Sequence, residues 1–237
     1  MEPNSKQNIF AIPIAIVLAG IIVAGSIFES SKTDTTSTVA NDRRPQTTNP
    51  QKIDISMVKT EGKPFVGNPN APVTIAYWFD YQCPFCKQFE EQTMPLVVTD
   101  YVKTGKVKVV FKDFQFLGPD SQSAGLVEQA VWEIAPEKFY EWHKAIYDKQ
   151  DKENAGWGNK ADILALTKNL GIDSVKIEER IKTKAAEYQK AMDADKTEGG
   201  TFGVNGTPGF IIATQLISGA VPYSVIKQAI ETALASK

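Results

Sequence analysis

The chain has 237 residues, of which 42% are hydrophobic and 23% charged, with a formal net charge of −2. Near-balanced charge without a basic run argues against a nucleic-acid partner, and two cysteines are too few for a disulfide-stapled scaffold. No internal repeat is visible.

In chain order, the first feature is an uncharged stretch from Ile9 to Phe28, IFAIPIAIVLAGIIVAGSIF. At a rise of about 1.5 Å per residue, a helix of this length spans the roughly 30 Å hydrocarbon core of a bilayer. Signal peptides carry shorter apolar runs, of about 7–15 residues, which favours a retained anchor. Val23-Ala24-Gly25 still offers a cleavage site, so residues 1–28 are read as a membrane anchor or signal segment. Lys6 and the amino terminus precede the segment and favour an N-inside topology, which puts the rest of the chain outside the cytoplasm. Residues 29–52 are polar and Pro-containing, with too little apolar surface to offset their ordering entropy, and read as a flexible linker. Residues 53–237 suffice for one domain with a sizeable core.

Within that domain, VTIAYWF (73–79) reads as a buried strand. Apolar positions from Pro84 to about Lys103 recur at helical spacing, with Pro95 as a kink and Gly105 as the stop. KVKVVF (106–111) reads as a second strand, which makes a βαβ unit with parallel strands. Five helical stretches follow, over about residues 120–200: SQSAGLVEQAVWEI, PEKFYEWHKAIYDKQ, NKADILALTKNLGI, DSVKIEERIK and KAAEYQKAMDADKTEGG. GFIIATQLI (209–217) reads as two short strands, and Pro222 opens a terminal helix. The fold class is therefore α/β: a βαβ half and a ββα half separated by a helical insertion, preceded by one transmembrane segment.

Both cysteines lie in DYQCPFCKQFE, Cys83 at the junction of the first strand with its helix and Cys86 one turn on. At a helix N-terminus, free N–H groups and the dipole favour a thiolate, and Lys87 adds a positive charge nearby. Pro84 suits the first turn. The spacing puts both thiols on one helical face, at a separation a disulfide can bridge. This predicts an exposed attacking sulfur at Cys83 with a shielded, resolving Cys86 behind it. A structural disulfide closing so short a loop would constrain little. A zinc site lacks ligands, because no other cysteine exists and the single histidine, His143, lies in a remote amphipathic helix where it reads as a packing or surface residue. No metal or cofactor is expected, and redox chemistry is the reading that remains.

The C-P-F-C motif after a strand, the helical insertion and GVNGTPGFII near the end together resemble the DsbA-like branch of the thioredoxin superfamily. VGNPNAPVTIAYWFDYQCPFCKQF is especially similar to anchored or secreted bacterial disulfide oxidoreductases, and the resemblance covers about residues 60–237. It implies a thioredoxin-like fold with Cys83 and Cys86 as the redox-active disulfide. It also implies a cis proline at Pro208 lying against the start of the active-site helix, leaving the backbone of Thr207 to pair with an extended client. Pro84 and Phe85 would support the site and meet substrate. One departure is clear: relatives often hold a buried acid six positions before the first cysteine as a proton relay, whereas here that position is Tyr77, no base at neutral pH. Asp80, nearer the motif, is left with either proton transfer or positioning of the turn. Asp113, Phe114 and Phe116 follow the second strand and read as core packing rather than a groove lining.

The function that follows is an extracytoplasmic, membrane-tethered thiol–disulfide oxidoreductase that introduces disulfides into exported proteins. Its partners would be exported clients bearing thiols or disulfides, and a membrane-bound redox protein that reoxidises the pair. The alternatives are a secreted or periplasmic form after cleavage, a reductase or isomerase, or a non-catalytic binding module for unfolded chains.

Overall fold

The computed structural model describes residues 53–237. The segment expected at 1–28 and the linker expected at 29–52 lie outside the described residues. Among the described residues, no helix is long and apolar enough to cross a membrane.

The elements run β1 (Phe65–Gly67), β2 (Val73–Phe79), α1 (Pro84–Gln92), α2 (Met94–Val97), β3 (Val107–Asp113), α3 (Pro119–Ile134), α4 (Phe139–Lys149), α5 (Lys160–Asn169), α6 (Ser174–Thr201), β4 (Gly209–Ile212), β5 (Gln215–Ser218) and α7 (Tyr223–Ala235). They form a five-stranded sheet in the order β1-β3-β2-β4-β5. β2 and β3 are parallel, with Val73 opposite Val107 and Phe79 opposite Asp113, and every other pairing is antiparallel.

Alternation along β2 divides its side chains between two cores, because successive strand residues point to opposite faces. Val73, Ile75, Tyr77 and Phe79 join the larger core with α1, α3, α4 and α7, whereas Ala76 and Trp78 join a smaller one with Phe202, Val204 and Ile211. Burial on both faces is why this strand reads as a continuous apolar run. Trp78 reaches across to α6, where its Nε1–H donates to the carbonyl of Asp195 at 2.9 Å. Gly199 is needed there, since a Cβ would lie 2.7 Å from that indole nitrogen.

Three boundaries differ from the sequence expectation. The helix expected over Pro84–Lys103 is not one kinked helix but α1, α2 and a π-helical turn at Val98–Val102. Pro95 lacks an N–H and its ring opposes the carbonyl four residues back, so the helix restarts at Met94 instead of bending through. The second strand runs on to Asp113, and β1, which has only three residues, adds to its outer edge. The last two helices of the insertion are one, α6, because nothing between Lys182 and Ala185 breaks a run of good helix formers. Pro222 stands just before α7 as its N-cap.

Candidate active site

In the turn between β2 and α1, Asp80, Tyr81 and Gln82 are buried and held from several sides. The Asp80 carboxylate accepts from the N–H of Gln82 at 2.8 Å through Oδ1, and from those of Phe116 (2.8 Å) and Leu117 (3.1 Å) through Oδ2. Tyr147 of α4 donates its hydroxyl to the Asp80 carbonyl at 3.1 Å. At the end of the same helix, the Gln150 amide donates to the carbonyls of Tyr81 (2.6 Å) and Cys83 (3.1 Å). Gln82 in turn accepts from the Asn154 N–H at 3.0 Å. The insertion thus fixes the turn that delivers Cys83 to the helix N-terminus. Of the two roles open to Asp80, the geometry corresponds to positioning the turn: the hydrogen bonds to its carboxylate all come from backbone N–H groups.

Cys83 is the N-cap of α1 with Pro84 in its first turn, and both cysteines are free thiols. The expectation of an exposed Cys83 is corrected, because its exposure is only 4%, against 0% for Cys86. The chain around Thr207–Pro208, whose peptide bond is cis, covers it, and the Cys83 Sγ lies 3.4 Å from the Thr207 carbonyl. Exposed apolar surface instead comes from Phe85, at 60%, and Phe116, at 46%. Phe116 is therefore not core, while Asp113 and Phe114 are buried as the strand pattern suggests.

The two thiols are driven apart electrostatically. Hydrogen bonding from Cys86 holds the Cys83 thiol down at about 6 against the opposing effect of burial, with Thr207 and the N–H groups of Cys86 and Phe85 adding to the depression. Cys86 is pushed well above the ordinary thiol range, first by burial and then by its sulfur neighbour. Lys87 does not serve as the expected activating charge. Its ammonium donates to the Gln150 carbonyl at 2.7 Å and lies 3.8 Å from Glu91, turned to the insertion.

Behind Cys86 lies a buried polar group that the motif does not reveal. His143 is not remote: it is fully buried among Phe79, Phe111 and Phe139, with Nδ1 at 3.0 Å from the Tyr81 hydroxyl and Nε2 at 3.2 Å from Glu90 Oε1. Glu90 follows Cys86 by four residues and is itself buried, a helical spacing that would have singled it out. Tyr77, at the position where an acid was absent, is buried with its hydroxyl bordering the Cys86 sulfur, and burial raises that hydroxyl further from ionisation.

A family model described as Thioredoxin matches residues 59–232. The chain is 28% identical over 180 residues to disulfide bond formation protein D of Bacillus subtilis (strain 168), an alignment covering 75% of this chain and 79% of the relative. Among solved structures, oxidised BdbD from Bacillus subtilis superposes with a TM-score of 0.69 at 26% identity, covering 75% of this chain and 95% of the other. The thiol–disulfide exchange protein α-DsbA2 of Wolbachia pipientis gives a TM-score of 0.64 at 28% identity, over 72% and 86% of the two chains.

Proposed function

From the premise that the chain belongs to the thioredoxin family and is a DsbA-like thiol–disulfide oxidoreductase, we propose that it introduces disulfides into exported proteins from a membrane-tethered position outside the cytoplasm. The single observation that carries the direction is the asymmetry of the two thiols. Cys83 is held near 6, so the reduced pair carries a stabilised thiolate that the disulfide lacks. Stabilising the reduced form makes the disulfide a better oxidant.

In this reading a client thiolate attacks Cys83 Sγ of the disulfide, and Cys86 leaves with the electrons of the S–S bond. A second client thiolate then attacks the client sulfur of the mixed disulfide, forming the client disulfide and expelling Cys83 as its thiolate. A membrane-bound redox partner takes two electrons from the pair and restores it. Pro84 and Phe85 present apolar surface beside the sulfur to an unfolded client, and Thr207–Pro208 forms the opposite wall. The apolar segment Ile9–Phe28 supports the tethered location.

The assignment of roles is tested by trapping. Cys86→Ser is expected to accumulate client mixed disulfides on non-reducing gels, because the attacking sulfur remains without its resolver. Cys83→Ser accumulates none. Equal trapping by the two variants would overturn the assignment.

A further inference from the structure

We propose that Glu90 is the group that takes the proton from Cys86 when the disulfide closes and returns it when the disulfide opens, with the Tyr77 hydroxyl beside both. This deepens the oxidoreductase reading and rests on it.

The need for such a group follows from burial. Cys86 is fully buried and its thiol holds its proton well above the ordinary range, so water has no direct access and the thiolate does not form unaided. Asp80, the nearest acid on the N-terminal side, is committed to three backbone N–H groups. Glu90 lies one helical turn from Cys86 on the same buried face, where side chains four apart sit about 5–6 Å from each other at Cβ. Its exposure is 2%, and only Oε1 has a partner, His143 Nε2 at 3.2 Å; Oε2 is buried with no hydrogen-bond partner among the described residues. The Tyr77 hydroxyl is likewise buried and unpartnered, and is in electrostatic contact with both Cys86 and Glu90. Two unmet polar atoms in an apolar core are costly to keep, and the cost suits a place where a proton must come and go.

The surroundings fit that role. Glu90 is faced by Tyr77 from β2, by Tyr140, His143 and Tyr147 from α4, and by Tyr81 from the turn after β2. None of these is a lysine or arginine that would lock the carboxylate in its charged form. His143 stands between Tyr81 and Glu90, with Nδ1 3.0 Å from the Tyr81 hydroxyl and Nε2 3.2 Å from Glu90 Oε1, so it engages the carboxylate through one oxygen and leaves the other without a partner among the described residues.

The step balances. Starting from a mixed disulfide between Cys83 and a thiol reagent, Cys86 attacks Cys83 Sγ and forms the internal disulfide. The bond to the reagent sulfur breaks, the reagent leaves as its thiolate, and the proton of Cys86 passes to Glu90. In the opposite direction Cys86 leaves as a thiolate and recovers that proton.

The test separates the two chemical steps in the full-length protein. Reduced protein is mixed with oxidised glutathione, quenched in acid at intervals, and the glutathione adduct on Cys83 is followed by mass between pH 5.5 and 9. In the wild type the adduct is resolved quickly and the resolution rate is nearly flat with pH. Glu90→Gln is expected to form the adduct at the wild-type rate, since Cys83 is already a thiolate, and to resolve it about tenfold or more slowly near pH 6–7. That deficit shrinks as pH rises and hydroxide takes over. Glu90→Asp, which keeps a carboxylate, recovers the flatter profile in part. Tyr77→Phe provides the second variant should Glu90→Gln unfold, and is expected to slow the same step several-fold. Wild-type resolution rates with a wild-type pH profile in Glu90→Gln, or in Tyr77→Phe where the first is unfolded, would overturn the proposal. A wild-type protein that forms no adduct at all would instead remove the oxidoreductase reading itself, and the proton assignment with it.

Discussion

Two buried polar clusters lie on opposite faces of the sheet, and they are built on different terms. On the face of Trp78, Lys112 of β3 is completely buried, with its ammonium 2.7 Å from Asp195 Oδ1, 2.8 Å from Glu198 Oε2, and donating to the Lys59 carbonyl at 2.8 Å. Lys63 adds a second cation 2.7 Å from Asp195. On the face of Cys86, the cluster of Tyr77, Glu90, His143 and Tyr81 contains no lysine or arginine, and leaves oxygens unpartnered. Matched charges in a core fix a geometry, because moving either partner leaves the other unpaired. Acids, phenols and an imidazole without a fixed counterion hold protons that can be exchanged. The first cluster ties α6 to the sheet; the second lies on the face of the two free thiols, where the proposed exchange needs a proton to come and go.

The largest expected effect tests the stiff side. Lys112→Met leaves Glu198 without its cation and Asp195 with Lys63 alone, and is expected to cost about 3 kcal/mol in urea unfolding. The Cys83 titration should stay near 6 in the same variant. A shift of that titration comparable to the loss of stability would mean that the two clusters are not separate.

A somewhat smaller effect sharpens the redox side. Thiolate absorbance of the reduced protein should titrate near 6 for Cys83. Because this thiol is depressed in the folded state relative to the ~8.5 of a free thiol, its contribution to the reduced fold is fully present above that range and fades as pH falls through about 6. The contribution is roughly 2–3 kcal/mol, and it is absent from the oxidised form, so the reduced protein should gain stability relative to the oxidised one as pH rises across this window. The same difference places the potential above the about −270 mV of thioredoxin, as glutathione equilibration would measure. A titration at the free-thiol value with a potential at or below thioredoxin's would favour a reductase.

The smallest effect concerns an acid pair next to both clusters. Glu128 of α3 is buried without a hydrogen-bond partner for either oxygen, and burial followed by the charge of Asp113 raises it well above the carboxylate range. Asp113 is pushed up to about 7, by burial and then by Asp195. Carboxyls raised in the folded state bind protons that the unfolded chain has released, so their contribution to stability declines as pH rises from about 4 through about 7. Glu128→Gln removes one of these ionisations and is expected to raise the melting temperature at pH 8 by about 2–4 °C, or about 1 kcal/mol, with little change near pH 4. Equal gains at both pH values would show that charge is not the cause.

Much of this molecule is legible in its sequence because the responsible physics is local. The β-branched and aromatic run 73–79 is a strand buried on both faces, the proline after Cys83 starts a helix, and the spacing of Cys83 and Cys86 puts two thiols on one turn. Those features, with Thr207 and Pro208 placed near the end, are enough to read the fold and to place the two thiols at the start of α1. Tertiary structure decided the rest, since it depends on groups distant in sequence. Cys83 is covered rather than exposed because Thr207 folds over it from 124 residues away. Lys87 is spent on Gln150, 63 residues on, rather than on the thiolate. His143 meets Glu90 and Tyr81 only because α4 packs against α1, and periodicity marks such a residue as buried without naming its partners. Local spacing fixes which atoms can react; the electrostatics of those atoms is set by whatever the fold brings within a few ångströms, since in a low-dielectric core the nearest charge or hydrogen bond dominates.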